Sequence, residues 1–544
     1  MKQYVIGVDF GTLSARALLV DASDGREVAV AVCAYPHAVM TDADFEGVVL
    51  ERTDALQHPQ DYLDALSQVT CAVIRDGGVS PADVVGVGID FTACTVMPVT
   101  ADGTPLCFLD EFKNEPHAYV KLWKHHSAQA EADRITALAA AQRAPWLQRY
   151  GGKISSEWLF PKLWEVLNKA PQVYHAAARF VEAADWLAWQ LTGVETHSSC
   201  MAGYKGLWNK RDGYPANDFW RALDVRLDGV VGTKVSEAVV PTGSKVGEVT
   251  AAGSAISGLA VGTAIAAPII DAHAALPAAG IVDGGKLMLI IGTSGCHIVM
   301  AKEDVPVAGL CGSVQDGVVP GFAAYEAGQA CVGDSFDWFV KRCVPADYAA
   351  EAEQNGQSLF DLLTEKAAAL SVGESGLLAL DWFNGNRTPY VDADLSGVLV
   401  GLTTHTRPEE IYRAVLESTA YGTKAIVDLY EAHGVAVDEV YAAGGIAQKN
   451  PLLMQIYADV LNKPIRIAAS AQAGAKGSAV FAAVAGGCFD TLADAAKVIA
   501  DGWTEEYVPC AADAQSYATL YREYCTLAEY FAKHNAVMKR LKNK

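Results

Sequence analysis

Tyr4-Val5-Ile6-Gly7-Val8-Asp9-Phe10-Gly11-Thr12 is an apolar run that stops at an acid and a glycine. A run uncharged until its end reads as a strand buried on both faces, and the Gly-Thr after it as a tight turn. A second apolar run, Ala17 to Val20, follows, then the hairpin signal Asp24-Gly25 and a third strand from Val28 to Val32. The same order returns near the middle of the chain. Leu287-Met288-Leu289-Ile290-Ile291 leads into Gly292-Thr293-Ser294-Gly295 and then Cys296-His297-Ile298-Val299-Met300. Each copy places Gly-Thr between two adjacent strands.

The correspondence continues beyond the turns. A helix-like segment from Pro59 to Ile74 leads to the strand Val84-Val85-Gly86-Val87-Gly88-Ile89-Asp90. In the second copy Thr406-x-x-Glu409 reads as a capping box for a helix to about Ile426, ahead of Val440-Tyr441-Ala442-Ala443 and Gly444-Gly445. Asn450-Pro451 then supplies an N-cap and an N1 proline for another helix, with Leu453, Ile456, Tyr457 and Val460 on one side. Buried strands alternating with helices define an α/β fold. The duplication predicts two such domains, 1–282 and 283–544, with the ligand cleft between them. The polar stretch 41–61 and parts of 105–260 read as insertions on the first domain, and 511–544 as a solvated terminal helix.

Composition narrows the function classes. At 544 residues the chain exceeds one ordinary core, and 51% hydrophobic residues set it apart from disordered chains. A net charge of −22 with no basic run argues against nucleic acid or an anionic membrane as partner. The start has no apolar leader, and no stretch offers 18 uncharged apolar residues, so a cytoplasmic protein is expected. Twelve cysteines without a Cys-x-x-Cys pair read as reduced thiols rather than a zinc site or disulfide frame.

Polyphosphate binding needs backbone N–H groups that converge, and glycine lets the chain come close. Four places qualify: Gly11-Thr12, Gly292-Thr293-Ser294, Gly444-Gly445 and Gly474-Ala475-Lys476-Gly477. Gly280 to Lys286 imitates a P-loop, but Leu287 stands where Ser or Thr belongs and Lys286 enters a strand. No Gly-x-Gly-x-x-Gly stands at a strand–helix turn either, which disfavours a dinucleotide-binding dehydrogenase. Two acids follow buried runs. Asp271 ends Ala264 to Ile270 and opens a small-residue helix, where it reads as a general base or as a helix N-cap. Asp9 reads as a magnesium ligand reached through water, or as a turn aspartate bonding the backbone of Gly11 or Thr12.

Asp9-Phe10-Gly11-Thr12 with Ser14 and Arg16, the Gly292-Thr293-Ser294 turn and the loop from Gly444-Gly445 to Asn450 resemble the FGGY carbohydrate kinases. Further stretches are similar to the branch of that family acting on ketopentoses: Asp90 to Thr95, Leu122-Trp123-Lys124, Gly203-Tyr204-Lys205, Asp271-Ala272-His273-Ala274 and Tyr325 to Gln329. The resemblance implies two actin-like, ribonuclease-H-like ATPase domains, the first on the sugar side and the second on the nucleotide side. It implies ATP and Mg²⁺, with L-ribulose phosphorylated in arabinose catabolism by a cytoplasmic homodimer. Residue by residue, it makes Asp271 the base and a metal ligand beside Asp9. Ala93, Trp123, Lys205, Asp271 and Glu326 would hold the sugar, and Gly11, Thr12, Gly292, Thr293, Ser294, Gly444, Gly445 and Asn450 the nucleotide. Judged without the resemblance, Trp123 reads as a core residue and Lys205 as solvated; a surface acid is the alternative for Glu326, and a merely small residue that for Ala93. Rival activities are phosphorylation of xylulose, ribitol or glycerol, an actin-like or Hsp70-like ATP-driven switch, and a sugar-binding regulator without catalysis.

Overall fold

The computed structural model describes residues 2–470 and 472–542. Tyr4–Phe10 (β1), Ser14–Asp21 (β2) and Glu27–Ala34 (β3) form an antiparallel meander, and Val84–Phe91 (β4) runs parallel to β1 on its other side. Lys245–Glu248 (β5) and Ala264–Ala266 (β6) complete the order β5-β6-β4-β1-β2-β3, with Ile269–Ile270 (β7) beside the end of β4. The second sheet holds Lys286–Ile291 (β8), Gly295–Ala301 (β9), Gly312–Gln315 (β10), Ala323–Gln329 (β11), Glu439–Ala443 (β12), Ile465–Ala468 (β13) and Trp503–Tyr507 (β14). Its order is β10-β11-β9-β8-β12-β13-β14. The run β3-β2-β1-β4-β6 therefore matches β11-β9-β8-β12-β13, three antiparallel strands and then two parallel ones in each. This is the duplicated α/β architecture that the paired Gly-Thr turns predict.

Helices that matter to the site are Pro59–Gly77 (α1), Leu159–Lys169 (α2), Ser199–Lys205 (α3), Asp271–Ala278 (α4), Pro408–Ala432 (α5), Pro451–Leu461 (α6), Ala473–Ala485 (α7) and Ala511–Glu529 (α8). Three expectations change. Helix α5 starts at Pro408, with Glu410 accepting from the Arg407 N–H at 2.6 Å. Proline fixes N1, while Thr406 is used in a turn, its hydroxyl accepting from the Thr403 N–H. Gly474–Gly477 is the first turn of α7 and not a phosphate loop. Helix α8 is not a solvated tail, since Tyr517, Tyr524 and Ala528 are buried in the second core and Tyr524 donates to Asp381 at 2.7 Å.

The glycines of α7 have a packing use. A Cβ on Gly477 would stand 1.9 Å from the Ala274 carbonyl oxygen of α4, and one on Gly7 1.7 Å from the Ala475 carbonyl oxygen. Small residues thus let α7 lie directly on β1 and β4, where Ala475, Ala479 and Val480 close a core with Val5, Leu18 and Val20. Helix α7 belongs to the second half of the chain and covers the first sheet. Gly7→Ala should cost about 1–3 kcal/mol or more from overpacking, read as a lower denaturation midpoint at unchanged slope. A midpoint equal to wild type would mean α7 does not sit this close.

Much of the 105–260 region forms its own apolar core, with Phe160 stacked on Trp220 at 4.1 Å and Trp164 fully buried. Among the described residues no helix is long and apolar enough to cross a membrane. All twelve cysteines are free.

Candidate active site

The carboxyl ends of parallel strands are where α/β sheets bind ligands, and three acids of the site gather there. Asp9 and Asp90 end β1 and β4 as direct register partners, and β7 delivers Asp271 beside them, Ile270 pairing with Phe91. Asp90 is fully buried, accepts from the Ser478 hydroxyl at 2.7 Å through one oxygen and has no partner for the other. Burial, then the neighbouring charge of Asp9, push its carboxyl well above the usual range. Asp9 is raised by burial too, with the neighbouring Asp90 and the Arg16 guanidinium 3.9 Å away opposing the rise. Gly474 keeps the space open, because a Cβ there would stand 2.7 Å from the unpartnered Asp90 oxygen and 3.0 Å from the Asp9 carboxyl carbon.

Asp271 is not a helix cap. The N-cap of α4 is Ile270, and Asp271 is the first helical residue, accepting from the N–H of Ala272 at 2.7 Å. Burial pushes its carboxyl up to about 7, with Asp9 and Glu326 adding to the rise while the Ala272 N–H and Lys205 oppose it. A carboxylate tuned to that range takes up and releases a proton near neutral pH.

Lys205 at the end of α3 and Glu326 on β11 meet across the two halves, Nζ 3.3 Å from Oε2. Lys205 is only 8% exposed. Burial alone would neutralise both, but their mutual attraction wins, raising Lys205 and holding Glu326 well below the carboxylate range. His273, two residues after Asp271 on α4, adds a contact from Nε2 to Glu326 Oε2 at 3.2 Å, and its Nδ1 lies 3.2 Å from Cys200 Sγ. Burial keeps that imidazole below its ordinary pKa, so a neutral ring donating through Nε2 to Glu326 and accepting the thiol hydrogen satisfies every partner. A cavity of about 360 Å³ opens on Lys205 and Glu326, walled also by Tyr150, Trp158 and Arg387.

Trp123 is 40% exposed, and its indole N–H donates to the Thr12 hydroxyl at 3.1 Å. That bond leaves the Thr12 O–H free to donate to a further oxygen. Ala93 lies half-buried in the turn after β4. In the second half the Gly292-Thr293-Ser294 turn follows β8, with Gly292 N–H bonded to the Ser294 carbonyl at 3.0 Å. Gly444 follows β12 at φ +100°, where a Cβ would collide with the Ile291 carbonyl at 2.4 Å, and nothing stands within 4 Å of one on Gly445. Asn450 caps α6, its Oδ1 accepting from the Leu453 N–H at 3.0 Å.

Three ionisable neighbours escaped sequence reasoning. Asp90 repeats the pattern that singled out Asp9, an acid closing a buried strand, and could have been found by it. His273 has weaker local notice, a lone imidazole in an alanine-rich helix. Arg387 has none: it lies over Gly328, where a Cβ would meet its Cδ at 3.0 Å, and makes no ion pair or side-chain hydrogen bond among the described residues.

Family models bear directly on this arrangement. The N-terminal domain model of the FGGY family of carbohydrate kinases matches residues 4–277 and the C-terminal one residues 287–486. The chain belongs to the FGGY family of carbohydrate kinases. Its relatives include a ribulokinase of Geobacillus thermodenitrificans, 50% identical over 548 residues that take in 100% of this chain and 97% of the relative. A ribulokinase of Mycolicibacterium smegmatis is 46% identical, covering 99% of this chain and 96% of the relative. Among solved structures, a xylulose kinase from Rhodospirillum rubrum shares the fold with a TM-score of 0.81 at 24% identity, over 98% of this chain and 99% of that one.

Proposed function

We propose that the protein transfers the γ-phosphoryl group of ATP to the terminal 5-hydroxyl of L-ribulose. The observation that carries the reading is the half-buried Asp271 carboxylate beside Asp9 and Asp90, tuned to about 7 and within the field of the Lys205–Glu326 pair. Full-length relatives named ribulokinase support the choice of sugar.

The sugar hydroxyl oxygen attacks the γ-phosphorus in line, the bond to the β–γ bridging oxygen breaks, and ADP leaves. Asp271 accepts the hydroxyl proton. Lys205 and Glu326 bind sugar oxygens, Trp123 covers a carbon face, and Ala93 leaves room for the chain. Thr12 donates to a phosphate oxygen. Gly11, Gly292-Thr293-Ser294 and Gly444-Gly445 present backbone to the nucleotide, and Asn450 meets it from the head of α6. Asp9 and Asp271, with the open face that Gly474 preserves, fit a hard cation taking one or two carboxylates. Mg²⁺ bound there supplies charge balance for the phosphoryl oxygens. A homodimeric state, a cytoplasmic location and a place in arabinose catabolism belong to the same reading.

The test is ATP turnover against L-ribulose, D-ribulose, L- and D-xylulose, ribitol and glycerol. L-Ribulose should give the highest kcat/KM; a tenfold win for glycerol or D-xylulose would overturn the sugar. ADP release indifferent to every polyol would favour a switch instead. The pH dependence follows from Asp271, which works ionised. Sugar kcat/KM should climb with pH to a plateau above about 7 and fall tenfold per unit below it. A flat profile from pH 5.5 to 8.5 would remove an acid of this pKa from the mechanism.

A further inference from the structure

Trp123 is 40% exposed, so packing alone does not hold it. Trp123 follows the short strand Val120–Lys121, and the Ala93 turn lies on a different segment that follows β4. One side chain joins the two. Lys162 on α2 is 0% exposed, and its Nζ donates to the carbonyls of Cys94 at 2.5 Å, Leu122 at 2.9 Å and Lys121 at 3.3 Å. These are the residue after Ala93 and the two residues before Trp123.

An ammonium buried against carbonyls, with no carboxylate within 4 Å among the described residues, is a costly arrangement for mere packing. Burial shows in its pKa, which falls to about 8. The turn it grips is held in an unfavourable shape: Cys94 sits at φ +58°, in the left-handed region that side chains rarely adopt. Glu182 grips the same turn from the other side, accepting from the Thr95 N–H at 2.8 Å. One helical turn beyond Lys162, Glu165 meets Lys121 at 3.1 Å and His125 at 2.9 Å. The nearby Asp54, His125 and Glu165 are not a metal site, because the Lys121 ammonium stands among them, 3.3 Å from the His125 ring. Helix α2 therefore brackets Trp123 with Lys162 before it and Glu165 on both sides.

We propose that Lys162 is a positioning residue that locks the Ala93–Thr95 turn to the Leu122–Trp123 segment and so sets the width of the sugar pocket. The proposal rests on the reading of Ala93 and Trp123 as sugar contacts. It assigns Lys162 no contact with either substrate. Displacing a pocket wall by about 1 Å costs as much as 10²-fold in rate constants, so a selective effect on the sugar is expected.

The experiment is steady-state kinetics on the full chain with Lys162→Met, using the sugar with the highest wild-type kcat/KM, together with ATP kinetics and a melting curve. Sugar KM should rise about tenfold or more while ATP KM and sugar-independent ATP hydrolysis stay within twofold. Lys162→Gln, which keeps a donor for one carbonyl, should give an intermediate sugar KM and stands in if the methionine variant is insoluble. An unchanged sugar KM, or sugar and ATP KM rising together, overturns the proposal. So does insolubility of both variants, which would make Lys162 a residue of the fold alone. A wild-type protein that phosphorylates no sugar would sink the reading of the site first, so the two failures are distinguishable.

Discussion

Asp271→Asn is expected to lower kcat by roughly 10²–10⁴-fold, or about 3–5.5 kcal/mol of transition-state stabilisation, without lowering the melting temperature. Asparagine keeps the size of the side chain and an oxygen for the Ala272 N–H, and loses the basicity. The loss grows further if the carboxylate also orients the attacking oxygen. Sugar and ATP should still bind, because Lys205, Glu326, Trp123 and the glycine turns are untouched. The stability side follows from linkage. The folded protein holds the Asp271 proton up to about 7, whereas the unfolded chain releases it near 3.8. Ionisation therefore destabilises the native state as pH rises through that window, and asparagine escapes the loss. Relative to wild type, the variant should melt higher at pH 8 than at pH 5. Steady-state rates and melting curves on one preparation check both halves. A kcat within threefold of wild type would remove Asp271 as the base.

That an acid of the candidate site stands at position 271 was legible because its signal is local. A charged residue directly after Ala264 to Ile270 conflicts with burial unless it has work to do, and the same conflict marks Asp9. The duplicated fold was legible for a related reason. Gly11-Thr12 and Gly292-Thr293 each end a buried strand, and two copies of one strand order make a weak signal specific. Local reading failed where glycine served packing instead of turning. Gly474 and Gly477 look like a phosphate loop in sequence, yet they are small because α7 presses on β1, β4 and α4. Helix α8 failed similarly: the segment reads as a solvated terminal helix, and only the bonds of Tyr524 to Asp381 and of Tyr517 to Glu417 reveal an inward face.

Long-range charge pairing was the least legible layer. Nothing near Lys205 announces that it is buried against Glu326, 121 residues away, or that His273 completes the cluster. Lys162 is more opaque still, since its partners are main-chain carbonyls that any residue could supply. Arg387 reaches Glu326 only through its field, with no contact to mark it.

Lys205→Met should cut sugar kcat/KM by at least tenfold and cost about 3–5 kcal/mol of stability, because it strands a buried carboxylate. The sharper consequence is electrostatic. Lys205 lowers the pKa of Asp271 and Glu326 raises it, so the two members of one ion pair pull that carboxyl in opposite directions. Removing Lys205 should move the acid limb of the pH profile above about 7. Glu326→Gln removes the opposing charge and should move it below. A general loosening of the pocket shifts both variants alike or neither, and no rearrangement of packing alone gives opposite signs. The measurement is kcat/KM for the sugar from pH 5.5 to 9 in both variants. Opposite displacement of the limb identifies it with Asp271; displacement in one direction, or none, would assign the limb to another group, with Glu326 itself the first to examine.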